Sequence, residues 1–480
     1  MPAQGFRRGI QPLRFLTDTQ VEQIHTTSLS ILEKTGVIFQ ADWALDVLED
    51  AGCRVDRQTR VVRFPPQLVE ACLARCPRTF TARARDPQRD LVLGGDMVCF
   101  SHTAGFQTID LNTFEPRPPT RQDYIECVTV LDALPTITHL SCYPYFGHEG
   151  VDPDMGILVS VAMKMRYSSK HQFICYQKGS EQFTIPMAQA CGTEVTGTVT
   201  ATPPLMWAED ALNVVRRMIQ AGFPLATVDG YTLGATAPAT IPGEVALANA
   251  HHLSMIVLVQ VMSPGHRISV GHFASVLNMS TGAPVFGDVG AALSNVIFNQ
   301  MWRHYGIPCG NGSPGYVSAK TMDYQAGYEK AIGVLMSALS GADYILFHLG
   351  VSSEMTAHPV QAVLDDDVAG MVGFILAGTE VNGETLAESV IHSVGPIPGH
   401  FLDGLHTLKH WRTSQYMPKC ADRLTYPEWL EKGKPTALDY ARARMQSILD
   451  THKPLPLPPA QEEEVERILR EAEAYYRGRK

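Results

Sequence analysis

Apolar positions follow two different rhythms along this chain. Over residues 17–51 they recur three and four apart: "TDTQVEQIHTTSLSILEKTG" opens on Thr17 and Asp18 as caps and stops at Gly36, and "DWALDVLEDAG" repeats the pattern to Gly52. "RVVRFPPQLVEACLARCP" adds a short strand and a helix opened by two prolines. These signals predict a helical N-terminal extension over residues 1–96.

From residue 97 the rhythm changes to short apolar runs separated by helical stretches. The runs are "MVCFS" (97–101), "THLSCYP" (138–144), "HQFICYQ" (171–177), "TVTATPP" (198–204), "PLATVDG" (224–230), "HRISVGH" (266–272), "IPCGNG" (307–312) and "DYILFHLG" (343–350). Helical patterns lie between them at 120–134, 153–168, 181–191, 208–221, 242–262, 288–305 and 323–340, and "PVQAVLDDDVAGMVGFILAG" follows the last run. Eight strand–helix units in about 280 residues predict an α/β fold, a (β/α)8 TIM barrel over 97–380. A doubly wound open sheet is the rival, but no GxGxxG follows a first strand and no Walker motif occurs. The tail, 381–480, reads as a loop-rich segment with three histidines, a proline spacer and a charged amphipathic helix: a C-terminal helical and loop extension.

Composition narrows the class. The chain has 480 residues, 45% hydrophobic and 18% charged, which suits a globular protein. Its net charge of −10 is spread out, and no basic cluster is present to track a phosphate backbone, so no nucleic-acid partner is expected. The ten cysteines form no CxxC pair and predict free thiols in a reducing compartment. "MPAQGFRRGIQPLRF" lacks the apolar core of a signal peptide, and "MIVLVQVM" is too short to span a bilayer, so neither a membrane nor a leader is expected and a cytoplasmic location is.

In such a barrel, chemistry gathers at the carboxyl ends of the strands. Those ends offer Phe100, Ser101, His102, Tyr143, Tyr145, Tyr176, Trp207, Asp229, His272, Phe273, Asn311 and His348. No lysine stands there for a Schiff base, and no carboxylate pair for glycoside hydrolysis. The histidines have no HxH or HExxH spacing, and no bound metal is expected. Rings around a deep mouth are suited to holding a cation, because their faces attract quaternary ammonium groups. Packing beneath loops is the alternative use of the same rings. His348 is conspicuous, an imidazole ending the otherwise apolar run "YILF".

Several long collinear segments carry a resemblance. "RRGIQPLRFLTDTQVEQIHTTSLSILEKTGVIF", "TARARDPQRDLVLGG", "TLGATAPATIPGEVALANAHHLSMIVLVQVMSPG", "LNMSTGAPVFG", "YQAGYEKA" and "SVGPIPGHFLDGLHTLKHWR" resemble the trimethylamine methyltransferase (MttB) superfamily across essentially the whole chain. That resemblance implies a barrel enzyme moving a methyl group from an amine to the cobalt of cobalamin carried by a corrinoid partner protein. The trimethylamine enzymes use pyrrolysine; this sequence has only the standard twenty residues and resembles the non-pyrrolysine branch. The implied substrate is then a quaternary amine: glycine betaine first, with carnitine, proline betaine or γ-butyrobetaine as alternatives, or binding of a betaine without transfer. On this reading Phe100, Tyr143, Tyr145, Tyr176, Trp207, Phe273 and Asn311 meet the substrate. His102, Asp229 and His272 meet the corrin, His348 is the catalytic candidate, and a homo-oligomer is expected.

Overall fold

The structure is a computed structural model that describes residues 5–103, 105–141, 145 and 147–478. Eight parallel strands form its centre: β1 (Met97–Thr103), β2 (His139–Leu140), β3 (His171–Ile174), β4 (Val195–Thr200), β5 (Leu225–Val228), β6 (Ile268–His272), β7 (Cys309–Gly315) and β8 (Tyr344–His348). Each is followed by a helix: α1 (Arg121–Ala133), α2 (Gly156–Tyr167), α3 (Glu181–Ala190), α4 (Glu209–Ala221), α5 (Ile241–Met262), α6 (Val289–Tyr305), α7 (Tyr324–Ser340) and α8 (Pro359–Ala377). The sheet is curled and nine-stranded: Phe6–Arg7, antiparallel, then β1, β8, β7, β6, β5, β4, β3 and β2. First and last parallel strands pair in register, Tyr344 opposite Cys99 through His348 opposite Thr103. At the far edge, bridges join Phe100 to Ile137 and Gly105 to Tyr145, and the Thr138 N–H donates to the Phe100 carbonyl at 2.9 Å. The architecture is mixed α/β.

Helix starts follow their caps. Thr120 closes a capping box with Asp123 at α1, and the Asp323 carboxylate accepts the Gln325 and Ala326 N–H groups at α7. α4, α6 and α7 each end on a left-handed glycine, Gly222, Gly306 and Gly341.

The extension predicted as helical is not purely so. Strands Val37–Phe39, Arg54–Asp56 and Val61–Arg63 build a small sheet beside helices Asp18–Ser30, Asp42–Asp50 and Pro66–Leu73, and Met206–Trp207 joins its edge. Three-residue strands are too short to show a period of two. The three extension helices pack on α5, which is apolar on every side. Ser28 Oγ donates to the Ala246 carbonyl and accepts from Asn249 Nδ2, at 2.9 and 3.0 Å. α5 has the length and apolarity of a membrane span, yet 83% of its most apolar window is buried inside the fold.

α8 carries three consecutive buried carboxylates that organise the C-terminal segment. Asp365 faces His102 and Lys330, and Asp366 accepts from Thr136 and Arg444 at 2.6 and 2.5 Å. Asp367 accepts the backbone N–H groups of Lys419 and Cys420 at 2.9 and 2.6 Å. Helix Ala437–Thr451 then lies on α8, and Pro459–Arg477 packs on α3. Cys53, Cys72, Cys76, Cys127, Cys191, Cys309 and Cys420 are free thiols; Cys142 lies outside the described residues.

Candidate functional site

A cavity of about 460 Å³ opens at the carboxyl ends of the strands. Strand alternation decides what lines it. Thr103, Phe173, Thr198, Gly271, Gly312 and Leu346 turn toward it, every second residue along their strands. Two glycines make room for rings: a Cβ on Gly310 would sit 2.4 Å from the Tyr344 ring, and one on Gly312 would sit 2.9 Å from Phe273.

One wall is aromatic. Phe273, Phe286 and Tyr316 contact one another with centroids 5.1 to 5.7 Å apart, all three on the cavity. Behind Tyr316 lies His348, its ring stacked at 4.4 Å and 22°. His348 is fully buried, and its carbonyl accepts from Lys330 Nζ at 2.6 Å. Thr103 Oγ1 donates to the Tyr316 hydroxyl at 2.7 Å, fixing the ring against β1.

Among the described residues two carboxylates reach the cavity, Asp229 and Glu354. Asp229 is held on all sides: Oδ2 meets His272 Nδ1 at 2.7 Å and His252 Nε2 at 3.1 Å, and Oδ1 accepts the Phe273 N–H at 2.7 Å. His272 Nε2 in turn meets Ser294 Oγ at 3.0 Å and lies 3.6 Å from Glu244, while its ring stacks on Phe298. Burial opposes a charge on His272, but Asp229 and Glu244 outweigh it and raise its pKa to about 10. Burial opposes a charge on Asp229 too, but His272 and His252 overcome it and hold the carboxyl well below the usual carboxylate range. Asp229 is thus a neutralised carboxylate that positions Phe273.

Glu354 is different. It follows Ser352 and Ser353, both left-handed at φ 62° and 63°, a conformation costing on the order of 1–3 kcal/mol per residue. The turn is clamped by Ser352 N–H to Ala319 O at 2.6 Å and Ser353 N–H to Val317 O at 2.8 Å. Burial pushes the Glu354 pKa up, with no opposing partner among the described residues. Among the described residues, no lysine or arginine lines this cavity.

Of the residues singled out in the sequence, Phe273 and Asp229 line the cavity and His348 backs it. Phe100, His102, Asn311 and His272 have the opposite strand parity and turn toward the helices. Phe100 packs on Phe6 and Phe347, His102 Nε2 meets Asp365 at 3.2 Å, and Asn311 bonds Asn299 on α6. His102 and His272 therefore do not present imidazoles to a corrin at the mouth. Trp207 is buried under the N-terminal sheet with Nε1 donating to Ser254 at 2.9 Å, so it faces no substrate there. Tyr145 donates to the Ala357 carbonyl at 3.2 Å, away from the cavity. Tyr176 does not line it either; burial raises its hydroxyl to about 12. Tyr143 lies outside the described residues. Phe286, Tyr316, Tyr344 and Glu354 were missed, and only the glycine-rich "CGNGSPGY" hinted that large rings need space there.

Elsewhere, an open groove of about 800 Å³ beside α3 and α4 is lined by charges that pair with each other, such as Lys178 with Asp154 at 2.6 Å. Among the described residues, three metal-type side chains converge only at Glu384, His406 and His410, far from the cavity, where Lys409 occupies the same carboxylate oxygen.

The trimethylamine methyltransferase (MTTB) family matches residues 1–474. A trimethylamine methyltransferase MttB of Desulfitobacterium hafniense strain DCB-2 is 29% identical over 475 residues, 96% of this chain and 94% of that one. A glycine betaine methyltransferase of D. hafniense strain Y51 is 30% identical over 460 residues, 92% of this chain and 94% of that one. The crystal structure of the Methanosarcina barkeri monomethylamine methyltransferase shares the fold, with TM-score 0.51 and 13% identity over 89% of this chain and 92% of that one. By extent and identity of match, this chain belongs to the trimethylamine methyltransferase family.

Proposed function

We propose that this chain transfers a methyl group from a quaternary amine, glycine betaine first, to the Co(I) of a corrinoid carried by a partner protein. The reading rests on the three-ring wall of Phe273, Phe286 and Tyr316 facing a desolvated carboxylate in a cavity without lysine or arginine. It also takes the curled sheet as a closed eight-stranded barrel, the bridges from β1 to the β2 edge supporting that, with 1–96 and 381–480 packed around 97–380. Each desolvated ring face contributes about 0.5–2 kcal/mol to holding an ammonium. The rings hold the cation on their faces, and the burial-raised pKa of Glu354 weakens its countercharge, which limits the ground-state stabilisation that a strong ion pair would bring.

The departing group is already a neutral tertiary amine, so no general acid is required. The residues' task is then to aim one N–CH3 bond toward the mouth and keep water out. The mouth suits a flat, largely apolar macrocycle: Phe106 and Met355 are exposed at its rim and joined by a 3.1 Å backbone bond. When bound there, the corrinoid supplies a strong cobalt nucleophile for the methyl carbon. Hydroxyls on the cavity wall, those of Thr198, Thr200, Thr232 and Ser275 among them, are donors for a betaine carboxylate.

A second reading follows from Glu354. A carboxylate in a cavity without lysine or arginine favours a quaternary amine whose far end is uncharged, such as an amino alcohol. Methylation of free cob(I)alamin with a panel of betaines and carboxyl-free quaternary amines tests both. Transfer from no member of the panel removes the methyltransferase reading. In the same assay Tyr316→Ala raises KM about five- to thirtyfold, or about 1–2 kcal/mol; an unchanged KM removes Tyr316 from the cage.

A further inference from the structure

Between the end of α8 and Cys420 the chain leaves the body and returns. It departs after Ala377, and Asp367 recaptures it at the Lys419 and Cys420 N–H groups. In that span no described residue is buried. It is nevertheless structured, with helices Gly383–Leu386, Glu388–Val394 and Leu405–His410, a capping box at Asn382, and Glu384 bound to Lys409 and His410 at 2.7 and 2.9 Å. Ile397, Leu402 and Leu405 are 94%, 84% and 83% exposed, and Val381, Leu386 and Leu408 are exposed beside them. About 40 residues without a core do not hold a fold alone. These six side chains present on the order of 800 Å², one partner's share of a standard interface.

The body has a matching defect. α4 turns Arg216, Arg217 and Gln220 toward a solvent groove, as an outer helix should. α7 instead exposes Tyr324, Tyr328 and Ile332 at four-residue spacing, Tyr324 by 86%, and neighbouring α8 exposes Met371, Phe374 and Ile375. One chain therefore carries an unsatisfied apolar arm and an unsatisfied apolar face.

We infer that residues 379–418 clasp a second copy of this chain, laying their apolar side chains on its α7–α8 face, with the exchange reciprocal about a twofold axis. The arm is rooted at the carboxyl end of α8, beside Gly9 and the amino ends of the strands, opposite the cavity mouth. That position favours a second copy over a partner that must reach the mouth.

Sedimentation velocity on the full chain tests this. Wild type sediments as a dimer or a multiple of one. Leu402→Glu with Leu405→Glu, and separately Ile332→Glu with Phe374→Glu, weaken association at least tenfold while circular dichroism and melting confirm a folded body. Mixing the two variants restores one of the two contacts, and a mixed dimer forms. A monomeric wild type, arm variants that remain dimeric, or no mixed dimer overturns the inference. So does an arm variant that stays dimeric but no longer binds its corrinoid protein.

Discussion

Glu354 is held in the cavity by two left-handed serines rather than by a cation, and its chemistry follows from that placement. Burial raises its pKa above the ordinary 4.5, so a proton stays on it where a solvated glutamate would have lost one. A bound quaternary cation favours the carboxylate and expels that proton. Affinity for the cation should therefore rise with pH above 4.5, and Glu354→Gln should flatten the rise, as calorimetry across pH would read. A wild type with pH-independent affinity would place Glu354 away from the cation. His348 shares the inward parity of Tyr344 and Leu346 and supports the Tyr316 ring. His348→Ala should cut methyl transfer tenfold or more, about 1.4 kcal/mol in the barrier, with melting nearly unchanged. A lowered melting temperature with activity per folded molecule preserved would make the residue structural. His348 was legible as the one polar side chain in an apolar run. Of the three rings on the cavity wall the sequence pointed to Phe273 alone, because Phe286 and Tyr316 sit beyond the strand ends, on connections whose path the sequence does not mark.

At the scale of elements, the strands and helices were read from residue 97 onward almost to their ends, while the facing of their residues was not. Parallel strands buried on both sides read as unbroken apolar runs, so "MVCFSHT" gives no sign that Ser101 and Thr103 turn one way and Phe100 and His102 the other. The same parity turns His272 into the link between β6, Asp229 and Glu244 of α5. Its folded pKa of about 10 lies above the 6.5 of an ordinary imidazole. The unfolded chain thus releases its proton first as pH rises. The stabilisation is complete below 6.5 and is lost as pH climbs through 10. His272→Gln should be less stable than wild type at pH 6, and the difference should shrink toward pH 10. Denaturant titrations at several pH values would show it; a constant difference would mean that His272 is neutral in the fold.

At the scale of the molecule, α8 ties the C-terminal segment to the body through Asp367. Asp367→Ala strands two backbone N–H groups and should cost about 2 kcal/mol. Protease cleavage just before residue 420 should rise with it; unchanged stability and cleavage would mean that Ala437–Thr451 alone holds the segment. Nothing in "LDDDV" announced this, since a run of three aspartates normally reads as a solvated face. The wrapping of α5 has a consequence in time. Its cover, Asp18–Ser30 to Pro66–Leu73, leaves the ribosome roughly 10–40 s before α5 itself at ordinary synthesis rates. The cover is therefore already waiting when a 22-residue helix with the apolarity of a membrane span emerges. Synthesis order thus shields a segment that a translocon or an aggregate would otherwise capture.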